Sequence, residues 1–379
     1  MKDQVRLFEV GKYRAAATAV DAALNEVLSL VQPGVSVLSL CQAGDQAIMR
    51  LTAGVHRKVK RADKGIAWPT CVSVNHAVQH VSPLPDDTDA LATQVLAPGD
   101  LVKIDMAAHI DGYIATAAHT TVTPTGASEP ITGPLANAVC AAYYGAEAAL
   151  RHVRPGQSSK AVTDAIRQVA DCFQCQPVEG TASHRLQRYV FNDGQNVIPN
   201  YVDADNEVHE FEFEPEQAYS INIVMSSGEG RVREHPMKIG IYQRNLNANY
   251  QLRLKSSRAL YTHVSQQHPV FPFAYRTIED IQLKAGLNEC LNHDLLMPFV
   301  ALCERSGGMV AQFKMTVLCT HEGPVRLTTS AHPLPYVHSA WSLDSAPELA
   351  ALVQVPVVEA RKEQAAEQST DAAAMDMDA

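Results

Sequence analysis

A chain of 379 residues with 46% apolar content is long enough for two ordinary domains or one large one with a filled core, which excludes disorder throughout. Lys and Arg number 31 against 41 Asp and Glu, and the net charge of −10 excludes nucleic-acid binding by bulk charge while leaving room for a local basic face. There is no run of 18 apolar residues and no secretory leader, so the expectation is a soluble intracellular protein whose eight cysteines are free thiols. Cys172 and Cys175 form one close pair, but no second pair or suitably spaced histidines accompany them to make a zinc site.

In chain order, Ala17, Val20, Leu24, Val27, Leu28 and Val31 recur at helical steps until QPG stops the run, and a second helix begins near Ser39. The string RKVKRADKG (57–65) is a basic patch ahead of IAWPTCVSVNHAV, where Val72 and Val74 alternate as in a strand. Residues 100–122, DLVKIDMAAHIDGYIATAAHTTV, predict a hairpin, and an amphipathic helix follows over about 134–153. VRPGQSS breaks that helix, and Ser159 is expected to cap another ending near residue 172.

Strands are expected at 218–230 and 238–245, helices in KSSRALYTHVSQQH and EDIQLKAGLNECLNHDLL, and last strands in MVAQFKMTVLCT and PVRLTTS. No βαβ rhythm with a glycine-rich phosphate loop and no 20- to 50-residue repeat is visible, so the fold class expected is α+β with a largely antiparallel sheet. The acidic end, EARKEQAAEQSTDAAAMDMDA, has few large apolar residues and reads as a disordered tail over 351–379 behind a single domain, 1–350.

The hairpin carries the chemistry. With Ile110–Asp111 as a two-residue turn, Asp105 faces Thr116; with Asp111–Gly112 the two are diagonal on one face; a three-residue loop would separate them. Two carboxylates across such a hairpin are a natural way to hold two metal ions about 3.5 to 4 Å apart for hydrolysis. Here the second carboxylate is missing.

VKID with a ligand position eleven residues beyond its aspartate, and NHAVQHVSP upstream, resemble the pita-bread fold of the type 2 methionine aminopeptidases. The resemblance implies a helical insert at about 250–298 and matches the family's substrate histidine to His80 and its first metal aspartate to Asp105. Its second aspartate falls on Thr116, its histidine ligand on His184, and its two glutamates on Asn222 and Lys314, so three of five metal ligands are replaced. An ammonium at position 314 within reach of Asp105 would stand in for the metals' charge, and no metal or other cofactor is expected.

VSVLSLC, KGIAWPT, VNHAVQHVSP, LVKID, DGYIATAAHT, SSGEG, KSSRA and VAQFKMTVL together resemble the proliferation-associated, ErbB-binding branch of this fold, over about residues 8–330. That branch is catalytically degenerate. The resemblance implies a non-enzymatic protein of cytoplasm and nucleus, linked to nucleolar ribosome assembly, whose partners are the large ribosomal subunit and ribosomal RNA near the peptide exit tunnel, in subunit biogenesis or translation control; a monomer is the default expectation. Other protein partners are compatible with it, and no membrane is implied.

RNA contacts are expected from Arg57, Lys58, Lys60, Arg61 and Lys64, and from Arg253, Lys255 and Arg258 in the insert. Arg185, Arg188, Arg231 and Arg233 flank the former pocket and either contact RNA or pair with acids. The tail lacks the lysine-rich stretch of many relatives, carrying Arg361 and Lys362 followed only by acids. Two other readings stand beside this one: a peptide-binding scaffold in which His80, Tyr113 and the WPT segment line the old pocket, and a residual peptidase with one metal at Asp105 and His184.

Overall fold

The computed structural model describes residues 2–55, 63–126, 130–202, 209–328 and 337–359. The elements are α1 (Lys2–Ser29), α2 (Val37–Ala53), β1 (Lys64–Val74), β2 (Ala77–Gln79), β3 (Leu101–Ile110), β4 (Tyr113–Val122), α3 (Gly133–His152) and α4 (Ser159–Cys172). They continue with β5 (Gln176–Pro177), β6 (Ala182–Leu186), β7 (Val197–Pro199), β8 (Gln217–Ser226), β9 (Val232–Glu234), β10 (Ile241–Arg244) and α5 (Lys255–Gln267). The last are β11 (Phe273–Ala274), α6 (Ile281–Lys284), α7 (Leu287–Asn292), β12 (Leu296–Phe299), β13 (Leu302–Glu304), β14 (Val310–Thr320), β15 (Gly323–Arg326), α8 (Pro347–Gln354) and β16 (Val358–Glu359).

A ten-stranded sheet runs β1-β3-β4-β14-β8-β6-β7, with β15 and then β16 joined beyond β14 and β5 on β8. Every pairing in it is antiparallel except β15 with β16, as the absence of βαβ units requires. The α1/α2 side packs on β1, β3 and β4 through a core that includes Val20, Leu24, Ile48, Ile104 and Ile114. On the other half, α3 packs on β8 and β14, and α4 and α8 pack on α3, in one core that includes Val139, Ile166, Leu349, Ile223 and Phe313. This is the pita-bread architecture.

Local chemistry accounts for the element ends. Ser36 caps α2, its Oγ accepting from the Ser39 amide at 3.2 Å, so the helix begins two residues before the expected start. The cap of α4 is Ser158 rather than Ser159, whose hydroxyl instead accepts from the Phe211 amide. The hairpin turns at Asp111 and Gly112, with φ of 53° and 81°, the pair of left-handed conformations that a type I′ turn needs. Strand β1 does not alternate as Val72 and Val74 suggested; it is buried almost continuously because both its faces are covered.

Two expected boundaries are corrected. The segment at 250–298 is not wholly helical: α5, α6 and α7 share a core with the small sheet β11-β10-β12, in which Leu260, Val264, Tyr242 and Leu296 are buried together. Folded structure also continues past residue 350. Leu349 and Val353 of α8 are buried against the α3 core, and β16 extends the main sheet to Glu359. The rest of the expected tail, 360–379, lies outside the described residues. All eight cysteines are free.

Candidate functional site

Strand alternation builds the site. On β8, Tyr219, Ile221, Ile223 and Met225 turn to the helices, as do Phe313, Met315 and Val317 on β14. The opposite face therefore presents Ser220 and Asn222 from β8, and Gln312, Lys314 and Thr316 from β14. Lys314 pairs with Asn222 on one side and Ala118 on the other, and Ala118 pairs with Asp105, so one rung of the sheet reads Asp105, Ala118, Lys314, Asn222. The methyl of Ala118 leaves the lysine room to cross β4.

Lys314 Nζ reaches Asp105 Oδ2 at 2.5 Å, with both side chains largely buried at 9% and 13% exposure. Gln312 Nε2 donates to the same oxygen at 3.1 Å and to Asn222 Oδ1 at 2.8 Å, which satisfies the side-chain oxygen of Asn222. Asn222 also donates from Nδ2 to the Ala182 carbonyl. These groups form one closed network, which lowers the cost of burying the charges.

Thr116 lies diagonal to Asp105, one of the three arrangements that the sequence allowed. It is fully buried, its Oγ1 is 2.9 Å from Ser220 Oγ, and its amide donates to Thr316 Oγ1 at 2.7 Å. Thr120 makes the equivalent link, accepting from the Gln312 amide and donating to its carbonyl. Threonine hydroxyls thus stitch the seam between β4 and β14.

His184 pairs with Ser220, and its ring lies tilted against that of Phe191 at 5.3 Å. Burial, and then the Lys314 ammonium, pull its pKa down to about 4. His80 has a left-handed backbone (φ 65°) and Nδ1 3.0 Å from the Val300 carbonyl oxygen, and burial likewise takes its pKa down to about 4. Trp68 lies between them: its ring is 5.4 Å from His80, 5.3 Å from Phe191 and 4.8 Å from Phe299. The six expected pocket residues are therefore gathered around one charged network and one aromatic wall.

Tyr113 is not part of that wall. It sits at the hairpin end against Tyr13, with Lys12 and Arg188 over its ring. Sequence reasoning also missed Gln312, Phe191 and Phe299; Gln312 alone had a signal, lying two residues before Lys314 and hence on the same strand face.

The donor set does not fit the paired divalent ions of the fold family. A lysine ammonium is bonded to the remaining aspartate, Thr116 is committed to Ser220, and Asn222 to Gln312. Among the described residues no group of three or more His, Cys, Asp or Glu is arranged to hold a metal ion. An open cleft of about 600 Å³ lies elsewhere, between α4 and β7, lined by residues such as Thr163, Arg167, Val197 and Tyr201.

Of the expected RNA contacts, Arg57, Lys58, Lys60 and Arg61 lie outside the described residues. Lys64 is spent on the end of α2, donating to the Ala53 and Val55 carbonyls at 3.1 and 2.5 Å. Arg253, Lys255 and Arg258 are exposed at the start of α5, and the Glu289 carboxylate accepts from the Arg253 and Leu254 amides there. Of the flanking arginines, Arg185 pairs with Asp193, Arg188 with Asp111 and Arg231 with Glu179, while Arg233 is exposed.

The model of metallopeptidase family M24 matches residues 11–244, and the chain belongs to that family. Within it the chain is a member of the proliferation-associated, ErbB-binding branch. It is 39% identical over 355 residues to ERBB-3 binding protein 1 of Solanum tuberosum, covering 93% of this chain and 89% of that one. It is 40% identical over 334 residues to proliferation-associated protein A of Dictyostelium discoideum, covering 88% and 85%. A solved structure of a thermophilic Arx1 superposes with a TM-score of 0.83 at 24% identity, covering 92% of this chain and 98% of that one, and shares the fold.

Proposed function

We propose that this protein is a non-enzymatic, ribosome-associated factor that binds the large ribosomal subunit and its RNA near the peptide exit tunnel and acts in subunit biogenesis or translation control. The observation that carries the reading is the Lys314–Asp105 pair, a cation built into the chain where the fold family binds metal. With the bridging positions held by a lysine, a threonine and an asparagine, no group remains to activate a metal-bound water, so the protein is a pseudoenzyme that works by docking. Exposed Arg253, Lys255 and Arg258 support phosphate contacts from the insert, beside those expected of Arg57, Lys58, Lys60 and Arg61. The cytoplasm and nucleus, with the nucleolus, are where such a factor would reside, and the chain acts as a monomer. No helix among the described residues is long and apolar enough to cross a membrane.

The test is co-sedimentation of the purified protein with large ribosomal subunits across a salt series, with Lys58→Glu/Lys60→Glu and Arg253→Glu/Lys255→Glu variants alongside. Saturable binding that weakens with salt and in the variants is expected. No binding at low salt overturns the reading and leaves the peptide-binding scaffold, for which the Trp68, His80, Phe191 and Phe299 wall would be the contact surface.

A further inference from the structure

The loops at 226–231 and 304–309 are locked together. The buried Glu304 carboxylate accepts from the amides of Glu229, Gly230 and Gly308 at 2.9, 3.2 and 2.8 Å and from the Ser306 hydroxyl. A Cβ at Gly228 would sit 2.4 Å from Ser306 Oγ, and one at Gly308 would sit 2.5 Å from the Gly228 amide nitrogen, so the close approach requires glycine at both. Arg231 and Arg305 belong to this double loop, and Arg233 stands on the adjoining β9.

Their placement follows from the β9–β13 register. Cys303 pairs with Arg233 and Glu304 with Val232, and the ladder continues as the Arg305 amide donates to the Arg231 carbonyl at 2.7 Å. Arg305 is thus opposite Arg231 and diagonal to Arg233, all on one face, where like charges repel. Arg231 is held in place by Glu179, by the Tyr201 hydroxyl at 2.7 Å and over the Tyr201 ring at 4.6 Å. Arg233 and Arg305 are exposed, and neither side chain has a hydrogen-bond or ion-pair partner among the described residues.

We infer that this arginine strip, Arg231, Arg233 and Arg305 on the β9–β13 ladder, is a contact surface for the phosphate backbone of RNA. The inference rests on the RNA-associated reading above and adds to it a surface that neither basic string in the sequence contains. Two guanidinium groups on this platform, without a partner among the described residues of a chain of net charge −10, are complementary to phosphate oxygens, which they bind through paired N–H donors. The field at the strip agrees: His76 beside it is held below the ordinary histidine range by burial, and then by Lys103, Arg233 and His235. Glu234 alternates to the other face, while Glu229 is exposed on the same loop and opposes the anion.

The experiment uses the full chain, with Arg233→Gln/Arg305→Gln, Arg233→Glu/Arg305→Glu and Glu229→Gln variants, each checked for an unchanged thermal midpoint. Affinity is measured over a salt series for purified large subunits, a fluorescent poly(U) RNA and a polyglutamate peptide. The expected result is that the Gln pair flattens the log–log salt slope for RNA by about 1.5. The Glu pair should weaken RNA binding at least tenfold, and Glu229→Gln should strengthen it. Wild-type binding to subunits and RNA that both arginine pairs leave unchanged overturns the strip and spares the ribosomal reading. Arginine-dependent poly(U) binding without subunit binding keeps the strip and overturns the ribosomal reading. Binding of polyglutamate alone overturns the strip in favour of an acidic protein partner.

Discussion

Lys314 Nζ lies 2.5 Å from Asp105 Oδ2 across the small side chain of Ala118, so that one strand's ammonium neutralises a carboxylate two strands away. Removing one partner of a buried pair leaves the other charge uncompensated and costs about 3–5 kcal/mol. Lys314→Met should therefore lose about 3 kcal/mol in urea unfolding, and adding Asp105→Asn should recover much of it, since the two changes act on one interaction. Equal, additive losses from both changes would mean that the pair is not coupled.

The same lysine tunes its neighbour. His184 is 8% exposed with a pKa of about 4, lowered by burial and by Lys314, against about 6.5 in an unfolded chain. The unfolded state takes up this proton first as pH falls, so the contribution is complete above pH 6.5 and is lost as pH approaches 4, by about 3 kcal/mol. An NMR titration of the His184 ring should show a midpoint near 4 that rises in Lys314→Met. A midpoint that does not move would detach the histidine from the lysine's field.

Lys103 is a second, unrelated buried ammonium. It is 1% exposed, its Nζ donates to the Asn75 carbonyl at 2.8 Å, and burial takes its pKa down to about 7. Between pH 7 and about 10.4 the unfolded chain holds a proton that the folded one has released, so this group makes stability rise with pH across that window. Lys103→Met should flatten the rise and raise stability at pH 7 by about 2 kcal/mol, after allowing for the Asn75 carbonyl left unpaired. Chemical denaturation at pH 7 and 9.5 measures both effects; a variant that keeps the wild-type slope would assign the slope to other groups.

A buried ion pair helps to clamp the insert to the main body. Arg276 pairs with Asp45 of α2 and donates to Ser82 Oγ at 2.5 Å, and the pair's side chains are 4% and 11% exposed. Arg276→Ala should raise amide exchange over β10–β12 and α5 more than in the main sheet, by about 2 kcal/mol or more of opening free energy. Uniform exchange changes throughout the chain would show instead that insert and sheet open as one unit.

The hairpin shows where sequence reasoning stops. DG at 111–112 fixed a type I′ turn through the residues' tolerance of positive φ, but three loop geometries fitted the string, and the ladder chose the one that sets Thr116 diagonal to Asp105. Gln312 joined the site only because strand period and register put it on Lys314's face. Lys64 looked like part of a basic surface until it proved to cap α2, and Arg233 looked like Arg185 until only the latter found an acid.

By itself, the sequence determined the α+β class and most helices and strands, because periodicity and side-chain chemistry are local properties, while the expectation that Thr116, Asn222 and Lys314 stand at metal-ligand positions came from the family resemblance. Only the tertiary structure decided that the lysine reaches the aspartate, that the threonine fastens two sheet halves, that α8 and β16 belong to the folded body, and which arginines pair with acids among the described residues. Those outcomes depend on register and long-range packing, where partners 200 or more residues apart meet, as Thr116 does Thr316 and Lys314 does Asp105.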